Sequence, residues 1–374
     1  MSASDTESAD AIRRLFDRHL EAGLHHGGQL AVYSDGELVV DAAGGETGPD
    51  GGETTAEQRH LLFSCTKPFA GVCLHQLIED GDLDYDDPVV EHWPEFADDG
   101  TAKAGITVRQ VLSHQSGLNE SAFDDRPDLW GDLDAAAAAM EDAEPPLDPG
   151  TPAYQTLTYG WLVGELVRRV SGTPIDEYAE ENLFGPLGMD RTSIGADDPE
   201  EIATLVGFDE FDRCRDPGEG LEDMTEKEAA AAFNEPGVQR AAVPAATGVG
   251  TARDMARFYA CMANGGELDG TRVLGPETVD AMTTLQAETE DDGTLSRPAR
   301  YGLGVWIGGG VTDSFGTVSS ASTFGHLGLG SIAGWGDLDS DLGFAYVTNG
   351  VREESFEHWA RVNTMTDAVK QLFG

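Results

Sequence analysis

Phe63-Ser64-Cys65-Thr66-Lys67-Pro68, running on through Phe69 to Glu79, places a serine and a lysine three residues apart at the start of a helix. Pro68 has no N–H and is comfortable only in a first helical turn, so the helix begins close to Ser64. Ala70, Cys73, Leu74, Leu77 and Ile78 form its apolar stripe, and Gly81 lies just past its end. Residues three and four apart share a face, so positions 64, 67, 71, 74 and 78 align and Ser64 and Lys67 point inward with Leu74 and Ile78. Burial lowers a lysine pKa by up to roughly 3–5 units. A serine hydroxyl is a weak nucleophile until a neighbouring base takes its proton, and an uncharged amine one turn away is such a base. The helix N-terminus also presents backbone N–H groups to developing negative charge. The string by itself fits a plainer reading equally well, with Ser64 as a cap and Lys67 snorkelling to solvent.

Outward from this segment, residues 9–24 carry Ile12, Leu15, Phe16, His19 and Leu20 at helical spacing. Gln29 to Tyr33 and Glu37 to Ala42 flank Ser34-Asp35-Gly36 and read as a β-hairpin, followed by a Gly- and acid-rich loop from Gly44 to Glu57. Residues 83–145 read as short helices and loops, Leu157 to Val170 as a strong helix stopped by Ser171-Gly172, and Ala252 to Ala263 as another. Residues 207–235 are acidic and weakly patterned, an excursion over the surface. The C-terminal quarter turns to strand patterning, with Tyr301 to Ile307, Thr323 to Leu327, Ser331 to Leu338 and Leu342 to Asn349, and closes on a helix from Val362 to Leu372. Strands at both ends and helices between them predict an α/β fold of the α+β type. Its antiparallel sheet is built from both termini and flanked by helices, beside a mostly helical domain. The expected boundaries are 9–75 with 236–374 for the sheet domain and 76–235 for the helical one, with the active site at their interface.

Two more segments bear on the chemistry. Pro149-Gly150-Thr151-Pro152-Ala153-Tyr154 sets a tyrosine after a rigid turn and before a helix, where its phenol can relay a proton to Ser64 or a leaving group. A packing tyrosine is the alternative. Phe324-Gly325-His326-Leu327-Gly328-Leu329-Gly330 is a glycine-spaced strand whose glycines admit a substrate close to the backbone. The Leu329 N–H then pairs with that of Ser64 as a candidate oxyanion hole. A β-bulge with a satisfied histidine explains the same pattern.

Composition narrows the partners. The 374 residues carry 69 Asp plus Glu against 23 Lys plus Arg, a net charge of −46 that repels nucleic acid and anionic membranes. The acids are spread along the chain and lysines number four, which suits a cytoplasm with molar salt, where the Debye length falls to roughly 3 Å. No apolar run approaches a membrane span, and the polar N-terminus shows no secretory signal, so a cytoplasmic location is expected. Cys65, Cys73, Cys214 and Cys261 form no C-x-x-C pair and are expected as free thiols. No cofactor or metal motif is present, and His25-His26 reads as a surface pair. The chain lacks a G-x-S-x-G elbow. His114 lies beside Gly117 at an expected helix end, and Tyr301, Trp306 and Trp335 read as sheet-face fillers rather than an acyl pocket.

With these residues in place the chain resembles the serine β-lactamase-like superfamily, nearest family VIII carboxylesterases and class C β-lactamase-like enzymes. The resemblance covers about residues 9–370. It runs through Phe63 to Lys67, Gly81 to Pro88, Val111 to Leu118, Pro149 to Tyr154, Leu183 to Met189 and Gly325 to Gly328. It implies that Ser64 is acylated, with Lys67 as general base, Tyr154 assisting proton transfer, and His326, Gly328 and Leu329 lining the oxyanion and substrate side, and that His114 is a structural turn residue. His326-Leu327-Gly328 stands where β-lactamases carry Lys-Thr-Gly, and Tyr154-Gln155-Thr156 replaces Tyr-x-Asn. Both departures favour neutral esters over β-lactams. The expected substrate is therefore a small ester or amide. The rivals are a penicillin-binding-type peptidase or amidase, a β-lactamase, an acyltransferase, or a silent binding protein on the same fold.

Overall fold

A computed structural model describes residues 3–208, 225–310, 315–329, 332–351 and 356–374. Its frame is an eight-stranded antiparallel sheet. The strands are β1 (Gly27–Ser34), β2 (Glu37–Gly45), β3 (Ala287–Thr289), β4 (Ala299–Tyr301), β5 (Trp306–Ile307), β6 (Thr323–Gly328), β7 (Ile332–Asp337) and β8 (Leu342–Thr348). Their order is β2-β1-β8-β7-β6-β5-β4-β3, so the first hairpin pairs with the last long strand and both ends of the chain build one sheet. Asp35 and Gly36 both take positive φ (49° and 77°), the twist-matched two-residue turn that an Asp-Gly pair favours.

The main helices are α1 (Ala3–Glu21), α2 (Lys67–Asp80), α3 (Thr158–Ser171), α4 (Ala252–Ala263) and α5 (Phe356–Phe373). Ile12 and Phe16 of α1 and Val362, Met365 and Val369 of α5 bury against Leu30, Val32, Trp335, Phe344 and Tyr346 of the sheet. The other core joins Phe69, Val72, Cys73 and Leu74 of α2, Met255, Phe258 and Tyr259 of α4 and Leu162, Val163 and Leu166 of α3. Gly81 ends α2 in the left-handed region at φ 83°. Cys65, Cys73 and Cys261 are buried free thiols, while Cys214 lies outside the described residues.

Several expectations need correction. The single strand read over Tyr301 to Ile307 is a tight hairpin, β4 and β5, closed by residues 302–305 with Tyr301 opposite Trp306. Gly304 takes φ 83°, donates its N–H to Leu112 O (2.8 Å), and a Cβ there would come within 3.3 Å of Gly71 Cα. The turn is wedged against α2, which only glycine allows. Strand β3 carries no period-two pattern and escaped sequence reading. His25 is not a surface residue: it is 3% exposed, and its Nδ1 lies 3.0 Å from Tyr346 Oη in a buried cluster with His19. The expected surface excursion over 207–235 is not what its described part forms. Residues 209–224 lie outside the described set, and Glu226–Phe233 forms a helix whose Phe233 packs edge-on against Phe63. Among the described residues no helix is long and apolar enough to cross a membrane.

Candidate active site

Ser64 sits just before α2, in a 3₁₀ turn over Phe63–Thr66, and is partly exposed, whereas Lys67 at the head of α2 is fully buried. The turn is held from below. Leu62 N–H donates to Gly248 O (2.7 Å), Gly248 N–H donates to Thr66 Oγ1 (2.9 Å), and Thr66 Oγ1 donates to Phe63 O (2.6 Å). A Cβ on Gly248 would fall 2.5 Å from Thr66 Oγ1, so glycine is required for this approach. Phe63 adopts φ 48°, a conformation uncommon for a large side chain, immediately before the serine.

Lys67 Nζ lies 3.0 Å from Ser64 Oγ, 2.8 Å from Thr156 O and 3.2 Å from Ala245 O, and 4.8 Å from the centre of the Tyr154 ring. Burial holds the Lys67 amine well below the ordinary lysine range, against smaller upward pulls from Cys65 and Asp124. In its neutral form the amine has two N–H donors, one for each carbonyl, and its lone pair then faces Ser64 Oγ.

Tyr154 is 6% exposed. Its ring centre is 4.9 Å from His114, 5.5 Å from Trp306 and 5.9 Å from His326. Its segment is laced to residues 114–118: Ala153 N–H donates to His114 O (2.9 Å), Gly150 N–H to Gln115 O (2.7 Å), and Gln155 N–H to His114 Nδ1 (3.1 Å). His114 is thus a turn residue at φ 56°, and its imidazole is kept neutral by burial.

Strand β6 runs beside the serine turn. Cys65 Sγ donates to His326 O (3.2 Å), and a Cβ on Gly328 would meet Leu62 O at 2.8 Å and Phe63 Cβ at 3.3 Å. The glycines therefore serve backbone contact within the protein: Gly328 lets β6 close on the nucleophile turn, and Gly325 admits Gly334 and Trp335 of the neighbouring strand. His326 is 1% exposed; its Nδ1–H donates to Leu327 O (2.6 Å), and burial depresses its pKa well below the ordinary value. His326 thus brings no cation to this strand. Leu329 follows β6 and is 44% exposed, and Gly330 lies outside the described residues. Trp306 belongs to this neighbourhood, 4.8 Å from the His326 ring. Trp335 does not: it stacks on Phe344 and donates Nε1–H to Thr366 of α5 (3.1 Å).

Sequence reading missed the two carbonyls of Thr156 and Ala245, because backbone acceptors leave no mark on residue type. It also missed Asp292, whose Asp291-Asp292-Gly293 setting looks like any turn. Among the described residues no cluster of His, Cys, Asp and Glu could hold a metal.

A family model described as Beta-lactamase matches residues 12–364. Esterase/beta-lactamase LipL of Mycobacterium tuberculosis is 36% identical over 340 residues, covering 86% of this chain and 77% of that protein. The crystal structure of a penicillin-binding protein homologue from Caulobacter crescentus superposes with a TM-score of 0.82 at 29% identity, covering 98% of this chain and 97% of that one. EstA from Arthrobacter nitroguajacolicus Rue61a gives a TM-score of 0.81 at 27% identity, with 98% and 96% covered. With its model matched across nearly the whole chain and the fold shared end to end, this protein belongs to the beta-lactamase family and is a serine hydrolase.

Proposed function

We propose that this chain hydrolyses carboxylic esters of small molecules through an acyl-enzyme on Ser64, at the junction of a sheet unit (9–75 and 236–374) and a helical unit (76–235). The observation that carries the reading is the 3.0 Å contact between Ser64 Oγ and a buried, charge-poor Lys67 amine. Lys67 Nζ takes the hydroxyl proton as Oγ bonds to the ester carbonyl carbon. The N–H groups of Ser64 and Leu329, with Gly328 keeping β6 close, hold the oxyanion. The carbon–oxygen bond to the alcohol then breaks, and the alcohol leaves with a proton passed from Lys67 by way of Tyr154. Water attacks the acyl-enzyme, gives its proton to the same pair, and Ser64 Oγ departs protonated as the acid is released.

The neutral His326 favours esters over β-lactams, since an uncharged imidazole bonded to its own backbone offers a substrate carboxylate no countercharge. LipL is named for both activities, which keeps β-lactam turnover as a second, slower reading. A panel of p-nitrophenyl acetate, butyrate and octanoate, nitrocefin and a D-alanyl amide separates them. We expect kcat/KM for the best ester to exceed that for nitrocefin and the amide by about 10²-fold or more, below the roughly 10⁴- to 10⁵-fold that unmatched polar groups in a site can impose. Equal or better turnover of nitrocefin would reverse the assignment.

The panel belongs in molar KCl. We propose that the −46 charge is an adaptation to high salt, because self-repulsion acts over about 10 Å at 0.1 M ionic strength and about 3 Å at 1 M. The melting temperature should rise by about 5 °C or more between 0.1 and 2 M KCl, which corresponds to about 4 kcal/mol for a chain of 374 residues. A flat or falling melting temperature would reject the adaptation.

A further inference from the structure

The loop between β3 and β4 docks on the segment that carries Tyr154. Gly293 N–H donates to Pro152 O (3.3 Å), and a Cβ on Gly293 would press on Ala153 Cβ at 3.0 Å and Leu147 Cδ1 at 2.9 Å. Asn119 Nδ2 donates to Thr294 Oγ1 (3.0 Å), tying a third segment to the same loop. At the centre is Asp292, 1% exposed. Its carboxylate accepts the Tyr154 N–H on both oxygens (3.0 and 3.1 Å), the Thr294 and Leu295 N–H groups (2.9 Å each), and the Tyr301 hydroxyl (2.7 Å). Tyr301 itself stands 4.7 Å from the His114 ring and 6.4 Å from Trp306, both of which flank the Tyr154 ring.

These contacts converge on one short piece of backbone. The Tyr154 N–H goes to Asp292 and the next N–H, of Gln155, goes to His114, so two side chains from distant parts of the chain hold consecutive amides. The carbonyl of the residue after that, Thr156, faces the Lys67 amine. A buried carboxylate with every lone-pair direction occupied makes charge-assisted bonds, shorter and stronger than neutral ones. A catalytic group must be held within about 0.5 Å of its productive place, and a displacement near 1 Å costs on the order of 10²-fold in rate.

We propose that Asp292 is the positioning residue for Tyr154, locking the phenol in the geometry that serves Ser64 and Lys67. This rests on the ester-hydrolase reading above. Asp292 touches no reacting atom and acts through Tyr154, with Tyr301 as the second prop of the carboxylate. The asparagine variant keeps the size and one acceptor oxygen but turns an amide nitrogen toward the Tyr154 N–H, so the grip loosens without leaving a cavity.

The test is a double-mutant cycle on the best p-nitrophenyl ester, with kcat and KM measured for wild type, Asp292→Asn, Tyr154→Phe and the double variant. Asp292→Asn should lower kcat by about 10- to 100-fold while KM changes less than about threefold. In the Tyr154→Phe background the same change should lower kcat by less than about threefold, since the phenol it positions is already gone. Equal fold-losses in both backgrounds would overturn the proposal and leave Asp292 a purely structural group. Should Asp292→Asn fail to fold, Tyr301→Phe, which removes one hydroxyl from the carboxylate, takes its place: a loss of kcat that disappears with Tyr154→Phe supports the proposal, and an unchanged or additive kcat overturns it. Tyr154→Phe alone separates the two levels, because wild-type kcat in that variant refutes the role of the phenol whatever the cycle gives.

Discussion

Ser64→Ala should lower kcat on p-nitrophenyl butyrate by about 10⁴- to 10⁶-fold, the loss seen when a serine hydrolase is deprived of its nucleophile and left with binding and oxyanion contacts. The change removes one oxygen from a partly exposed residue, and Lys67 keeps its bonds to Thr156 O and Ala245 O. Stability should therefore move by less than about 1 kcal/mol, the net worth of one hydrogen bond. A melting temperature near that of wild type, with activity gone, isolates the chemical role. A fluorophosphonate probe should add to wild type at Ser64 and leave the Ser64→Ala protein unlabelled. Retained turnover, or labelling at another serine, would move the nucleophile elsewhere.

The segment from Ser64 to Gly81 was legible because helix signals are local. Pro68 fixes the first turn, the apolar stripe fixes the inward face, and Gly81 fixes the end, all within eighteen residues. The two-ended sheet was legible for a related reason, since the Asp35-Gly36 and Asp339-Asp341 turns each sit between β-patterned runs. What sequence could not show was the setting of the site. Thr156 and Ala245 contribute carbonyls, which every residue has. Asp292 contributes a carboxylate in a chain with 69 acids, so its type carries no signal, and only the fold reveals that this one is buried and fully hydrogen-bonded. The glycines of β6 mark a close approach without saying what approaches; at Gly325 and Gly328 it is the protein's own backbone.

Lys67 should carry the second large effect, and its signature is a pH dependence. Lys67→Met and Lys67→Arg should each lower kcat by about 10²- to 10⁴-fold, the range for removal of a general base. The arginine variant discriminates, because its guanidinium keeps a positive charge at every accessible pH and cannot accept the serine proton. Near wild-type turnover by the arginine variant across the pH range would show that charge, not basicity, is what the position supplies. Stability gives an independent reading of the same amine. The unfolded chain holds a proton on this lysine up to about pH 10.4, whereas burial makes the folded chain release it at much lower pH. Between those two pH values unfolding takes up a proton, so each rise in pH stabilises the native state. Wild type should therefore gain stability relative to Lys67→Met as pH climbs toward about 10.4, and lose that gain as pH falls to the folded pKa, below which the difference levels off. Urea unfolding of both proteins at matched salt, from about pH 6 to pH 10, measures the difference directly. A difference that stays flat across that range would mean the amine is charged in the folded protein and is not the base that activates Ser64.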